Sequence, residues 1–202
     1  VVARGLLALL TAATLAGCGA SVRGLTEREA SDVEGGRRVI VLLRLVTTSE
    51  EGEPVLLLNT IDFPSLALYG QFFVLVERVE TGEQTKIRRP LVPSSEAEAA
   101  GWMYLLLPPG RYFLRTQTRL HGPVSGRYFL PVPSNRTLIY AGSLPMTCRG
   151  KSTAEVIFTK SGRTPHCGLP DAVTDERDEA ARIAAVAFGP HALPATVLMT
   201  QR

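Results

Sequence analysis

Apolar residues in this chain come in short runs divided by turn residues. Arg38 to Thr47 is rich in Val, Leu and Ile, Val55 to Leu58 is a shorter run, and Ala67 to Val79 a longer one. The last ends at Glu80-Thr81-Gly82-Glu83, where Gly82 supplies the positive φ that a hairpin turn asks for. Gln84 to Arg89 then alternates Thr85 and Ile87 with Lys86 and Arg88, a strand with one wet face. Pro90 and Pro93 break the pattern, and Glu96 to Ala100 predicts a helical turn or a loop. Trp102 to Leu107 runs into Pro108-Pro109-Gly110 and leaves as Arg111 to Gln117. Proline followed by glycine is type II turn chemistry, so two strands folded back on each other are expected there. Arg127 to Val132, Thr137 to Leu144, Ala154 to Lys160 and Thr196 to Met199 read as further strands. Short strands at this spacing indicate a sandwich or barrel.

The period changes near the C-terminal end. Ala180, Ile183, Ala184 and Ala187 fall at i, i+3, i+4 and i+7, which gives a helix one apolar face. Thr174 is its expected cap, Asp175 and Glu176 suit the positive end of its dipole, and Asp178 can pair with Arg182. Gly189-Pro190 ends it. The expected fold class is therefore mainly β, an antiparallel β-sandwich with one C-terminal α-helix over about 174–188.

The start of the chain has a different character. Arg4 is followed by an apolar stretch from Leu6 to Leu15 that closes on small residues, the layout of a secretory signal. The stretch is too short for a transmembrane helix, which needs about 20 apolar residues. Its end, Leu15-Ala16-Gly17-Cys18, resembles the lipobox of bacterial lipoproteins. That resemblance implies cleavage before Cys18, a thioether-linked diacylglycerol on its sulfur and an acylated new N-terminus. Two or three acyl chains give stable anchoring where one gives marginal binding. Gly19, standing where Asp would favour the inner membrane, points by the same resemblance to the outer membrane facing the periplasm. Residues 1–17 are then a signal peptide, and the polar stretch 18–36 reads as a flexible tether. Residues 37–202 form the β-sandwich domain with its helix.

With Cys18 lipidated, Cys148 and Cys167 remain. In an oxidising envelope compartment an even pair reads as a disulfide, closing a loop of about 20 residues worth roughly 3 kcal/mol in the chain-entropy account. Free thiols and a metal site are the alternatives. His166 adjoins Cys167, but no second metal-type spacing accompanies it.

The run Leu107-Pro108-Pro109-Gly110-Arg111-Tyr112-Phe113-Leu114 resembles the Pro-Gly-x-Tyr-x-Leu hairpin of transthyretin-like and carboxypeptidase-regulatory-like β-sandwiches. Leu138 to Gly142 looks like the apolar strand that follows in envelope lipoproteins of that kind. The similar region spans about Trp102 to Leu144. It implies a fold and a non-catalytic habit, and it carries no catalytic residues to transfer.

Composition narrows the function classes. Hydrophobic residues make up 45% and charged residues 20% of 202, enough for a packed core. A net charge of +3 with scattered arginines lacks the clustering of a nucleic-acid surface. His121, His166 and His191 sit in no nucleophile or metal motif, and Asp171, Asp175, Glu176, Asp178 and Glu179 lack calcium-loop spacing. No cofactor or metal is expected. Trp102, Tyr104, Tyr112 and Phe113 cluster near the Pro-Pro-Gly turn; they are core by default and a candidate binding patch if exposed. The expected function is that of a lipid-anchored, non-catalytic envelope lipoprotein that binds or docks another envelope protein. The alternatives are a lipid-anchored hydrolase, with His121 and His166 brought together by folding, and a small-ligand binder using the aromatic cluster.

Overall fold

A computed structural model describes residues 25–49, 52, 72–88, 96–97, 100–118, 122–123, 127–149, 166–168 and 172–202. The expected signal peptide over 1–17, Cys18, the runs Val55 to Leu58 and Ala154 to Lys160, His121 and Asp171 lie outside the described residues.

The chain enters through helix α1 (Glu27–Glu34). Thr26 caps it: the Glu29 amide donates to the Thr26 hydroxyl at 3.3 Å, and the Thr26 amide donates back to the Glu29 carboxylate at 2.8 Å. Val33 on its inner face is buried. The stretch expected to be a tether up to residue 36 is therefore folded from α1 onward. A closed capping box and one buried apolar side chain outweigh its polar composition.

Strands β1 (Val39–Ser49), β2 (Phe72–Arg78), β3 (Gln84–Arg88), β4 (Trp102–Leu107), β5 (Gly110–Thr118) and β6 (Gly122–Pro123) follow. After them come β7 (Tyr128–Val132), β8 (Leu138–Arg149), β9 (His166–Gly168), helix α2 (Arg177–Phe188), β10 (Ala195–Thr196) and β11 (Thr200–Gln201). They build two sheets. The first runs β10-β8-β1-β4 with β9 also on β8; the second runs β11-β7-β5-β2-β3 with β6 on β5. Most pairs are antiparallel, but β1–β8 and β8–β10 are parallel, so the first sheet is mixed. The expected mainly-β class with a C-terminal helix is what the fold has.

Alternation along the strands sets three layers. Val39, Val41, Leu43 and Leu45 of β1 and Met103, Leu105 and Leu107 of β4 face the second sheet, where they meet Val74, Val76, Tyr112, Leu114, Tyr128 and Leu130. The opposite face of the same two strands carries Ile40, Leu42, Trp102 and Tyr104, which pack against Val33 of α1 and Ala180, Ile183, Ala184 and Ala187 of α2. A strand buried on both faces reads as a continuous apolar run, and Trp102 to Leu107 is one.

That burial explains a departure from expectation at Pro108-Pro109-Gly110. The two flanking strands do not pair with each other: β4 pairs with β1, and β5 pairs with β2 and β7. The chain crosses from one sheet to the other there. The hairpin at Glu80 to Glu83 does form, with Glu77 opposite Gln84 and Gly82 at φ +68°.

On β8, Leu42 faces Tyr140 but Arg44 faces Ser143, so Ala141 and Gly142 together oppose Leu43. This is a β-bulge. Gly142 sits at φ +108°, and a Cβ there would lie 2.1 Å from Val173 Cγ1, so only glycine fits. The extra residue inverts the alternation. Ile139 and Ala141 face the inter-sheet core before it, and Leu144 and Met146 after it, which leaves Ser143 on the helical side.

Helix α2 starts later than expected. Its cap position is Glu176, with no side-chain cap bond, while Thr174 forms a bridge with Ser143. Arg182 pairs with Glu179 and Glu96, not with Asp178. The final segment divides: β10 joins β8 and β11 joins β7, so it ties both sheets.

Candidate functional site

Two polar constellations stand out. The first is a network between the first sheet and the start of α2. Arg44 interrupts the apolar run of β1 on its helical face. Its Nη1 donates to both carboxylate oxygens of Glu176 at 2.9 Å, and its Nε donates to the Ala100 carbonyl at 2.7 Å. The guanidinium also lies 5.7 Å from the centre of the Trp102 ring. The Ser143 hydroxyl donates to Glu176 at 2.5 Å and lies 3.0 Å from the Tyr140 hydroxyl, which in turn accepts from the Glu176 amide at 3.0 Å. Burial holds the Tyr140 hydroxyl above its usual pKa. A serine beside a carboxylate invites comparison with nucleophilic sites. Ser143 is only 1% exposed, however, and Glu176 faces Arg44, so a substrate carbonyl has no path to the hydroxyl. The network fixes α2 against the sheet at the position where the bulge aims Ser143.

The second is a cleft of about 530 Å³, within the ~300–1,000 Å³ typical of ligand pockets. It opens where the sheets end, since β4 is the last strand of the first sheet and β3 the last of the second. Both faces of β4 contribute: Tyr104 and Leu106 from the helical side, Leu107 from the inter-sheet side. Val76 and Arg78 of β2, Tyr112 of β5 and Glu83 of the hairpin turn complete the inner wall, and Glu29 and Arg38 stand at the α1 end. The Tyr112 hydroxyl donates to the Pro108 carbonyl at 2.7 Å, and burial raises the pKa of both Tyr104 and Tyr112. Arg78 is under-satisfied. Its Nη2 donates to the Pro109 carbonyl at 3.3 Å, but its buried Nε has no hydrogen-bond acceptor; the Glu80 carboxylate stands 3.6 Å away. Glu80 is engaged elsewhere, accepting from Arg111 Nε at 2.9 Å, and that bond pulls its pKa below the usual glutamate value.

The four aromatic residues singled out in the sequence are not one patch. Trp102 and Tyr104 are buried in the helical layer and Tyr112 in the inter-sheet layer. Phe113 lies on the outer face of the second sheet, against Phe129 at 5.9 Å and under the Arg127 guanidinium at 5.0 Å. Tyr104 and Tyr112 nevertheless meet at the cleft. Sequence reasoning missed Arg44, Glu176 as its partner, Arg78 and Glu83. A lone charge inside an apolar run was the available signal for Arg44, and the charge closing the β2 run was the signal for Arg78.

Cys148 and Cys167 stand directly opposite each other in the antiparallel β8–β9 pair, with Arg149 opposite His166. Directly opposed residues have Cα atoms about 4.5–5.5 Å apart, inside the about 4.4–6.8 Å range a disulfide spans. His191 is exposed. Among the described residues no group of acidic, His and Cys side chains could hold a metal ion, and no helix is long and apolar enough to cross a membrane. No protein-family profile, curated protein or solved structure matches the chain.

Proposed function

We propose that this chain is a lipid-anchored, non-catalytic binding module of the bacterial cell envelope, held to the membrane through Cys18, whose binding site is the cleft between the sheet ends. The cleft carries the reading. It offers apolar walls with a small number of polar groups aimed inward, and one of those groups, Arg78, keeps a buried N–H without an acceptor. The Arg78 side chain as a whole is 37% exposed, so a ligand oxygen can meet the accessible part of its guanidinium. The burial of Ser143 and the engagement of Glu176 by Arg44 favour binding over hydrolysis. The lipobox Leu15-Ala16-Gly17-Cys18 supports the anchor, and the opposed positions of Cys148 and Cys167 support a disulfide that suits an oxidising compartment.

Two measurements test this. Cells fed radiolabelled fatty acid should label the wild-type protein and not Cys18→Ser, with the wild type retained in membranes after a high-salt wash. An unlabelled wild type refutes the anchor. An environment-sensitive anilinonaphthalene dye should bind the wild type and lose its fluorescence gain in Leu106→Trp, which fills the cleft. Equal gain in both proteins refutes the cleft as the binding site.

A further inference from the structure

The charges that line the cleft narrow what it takes. Arg78 and Glu83 are cross-strand neighbours at the mouth of the β2–β3 hairpin, with the Arg78 amide donating to the Glu83 carbonyl at 2.9 Å. Opposite charges in that position ordinarily pair. These do not: among the described residues the Glu83 carboxylate has no hydrogen bond or ion pair, and Arg78 reaches only for the Pro109 carbonyl and toward Glu80. Both side chains line the same cleft. The other two charges there are already held. Glu29 accepts from the Thr26 amide and hydroxyl at 2.8 and 2.9 Å, and Arg38 lies 3.5 Å from Asp32. Arg78, which shares the single Glu80 carboxylate with Arg111, and the unpartnered Glu83 stand side by side on a cleft whose apolar lining includes Val76, Leu106 and Leu107, and together they complement a ligand that carries both signs beside an apolar body.

We infer that the cleft binds a short zwitterionic peptide with apolar side chains, its carboxylate on the Arg78 guanidinium and its ammonium on Glu83. The inference rests on the cleft being the binding site. A guanidinium presents its donors as a planar fork that matches a carboxylate, and the partly exposed Arg78 side chain lines the cleft. Glu83 meets the ammonium as a charged acceptor near the solvent edge. The volume suits a molecule of about dipeptide size.

The test uses the full chain and four probes measured by titration calorimetry: Leu-Leu with both termini free, its N-acetyl form, its C-terminal amide and the doubly blocked form. The free dipeptide should bind, and blocking either end should weaken it about tenfold or more, equivalent to ~1.4 kcal/mol per tenfold step. Glu83→Gln should erase the penalty of N-acetylation and keep that of amidation; Arg78→Met should do the reverse. Glu83 is exposed, so Glu83→Gln carries the test even where Arg78→Met fails to fold, as judged by circular dichroism. Equal affinity for the free and doubly blocked dipeptides overturns the zwitterion inference. So does a cleft that binds the dye but no dipeptide, which leaves the binding-module reading standing. Absence of both dye and dipeptide binding removes both.

Discussion

Arg44 and Glu176 should behave as one unit, and their removal measures what holds the helical layer to the sheet. In Arg44→Met the apolar stem is kept and the guanidinium lost. Two charge-assisted contacts to Glu176 at 2.9 Å, the 2.7 Å bond to the Ala100 carbonyl and the stacking on Trp102 go with it. Hydrogen bonds to charged groups contribute about 1.5–3 kcal/mol each, but these side chains are 23% and 31% exposed, so solvent screens part of the attraction. Adding about 0.5–1 kcal/mol for the cation over the ring, a total of ~3 kcal/mol is expected. For a chain of this size that lowers Tm by about 6–12 °C, taking ~2–4 °C per kcal/mol. Glu176→Gln keeps shape and the Ser143 contact and should cost about 1–2 kcal/mol. With Glu176 already replaced by Gln, removing the Arg44 guanidinium loses no carboxylate contact, so the two effects should fall short of additivity by about 1–2 kcal/mol. Urea melts followed by Trp102 fluorescence, with the indole directly beneath the guanidinium, would read all four proteins. Additivity within about 0.5 kcal/mol, or an Arg44→Met cost below ~1 kcal/mol, would refute the clamp.

Two further predictions concern the sulfurs and the pH range. In a Cys18→Ser background, denatured protein should show no alkylatable thiol until reduced, and Cys148→Ser should lose roughly 3 kcal/mol of stability under oxidising conditions only; two thiols reacting without reductant would rule the disulfide out. Asp32, Glu80, Asp175 and Glu179 are held below their usual values of 3.8 and 4.5, chiefly by hydrogen bonds from Arg37, Arg111, Arg177 and Arg182, so the folded state releases their protons more readily than the unfolded chain. Their contribution is complete above those values and is lost as pH falls through the lower folded ones; these pairs lie at the surface with arginine partners 51–64% exposed, so about 0.5 M salt should flatten the acid side of a Tm–pH curve. Tyr104, Tyr112 and Tyr140 are raised above 10.0, first of all by burial, so their contribution is complete below that value and is lost as pH rises toward the folded ones. Because desolvation sets the alkaline fall, salt should leave it in place; equal salt sensitivity on both sides would contradict this assignment.

Much of the local structure was legible in the sequence because it is set by neighbours. Gly82 marks the β2–β3 hairpin, and the spacing of Ala180, Ile183, Ala184 and Ala187 gives the buried face of α2. Partnership between distant segments was not legible. Pro108-Pro109-Gly110 specifies a change of direction, yet nothing in its chemistry says which sheet receives the next strand; the burial of β4 on both faces decides that. Helix α1 carried a readable Thr26-to-Glu29 capping box inside a segment whose polarity suggested a tether. The cleft was hidden for the same reason as the crossover. Its walls come from β2, β4, β5 and the α1 end, and the sequence offers Arg78 and Glu83 only as ordinary strand-end charges.

The central pairing of the first sheet joins Ile40 to Leu138 and Ser49 to Cys148 across roughly a hundred intervening positions. Every strand of the second sheet except β11 lies between them along the chain. As the polypeptide emerges, β1 can take β4 on one edge, but its other edge stays open until β8 arrives, and loop-closure entropy makes such distant encounters slow. Until then its exposed edge is a template for association with other chains. Assembly of this protein is thus expected to be slow, dependent on its concentration, and helped by any chaperone that shields an apolar β-strand.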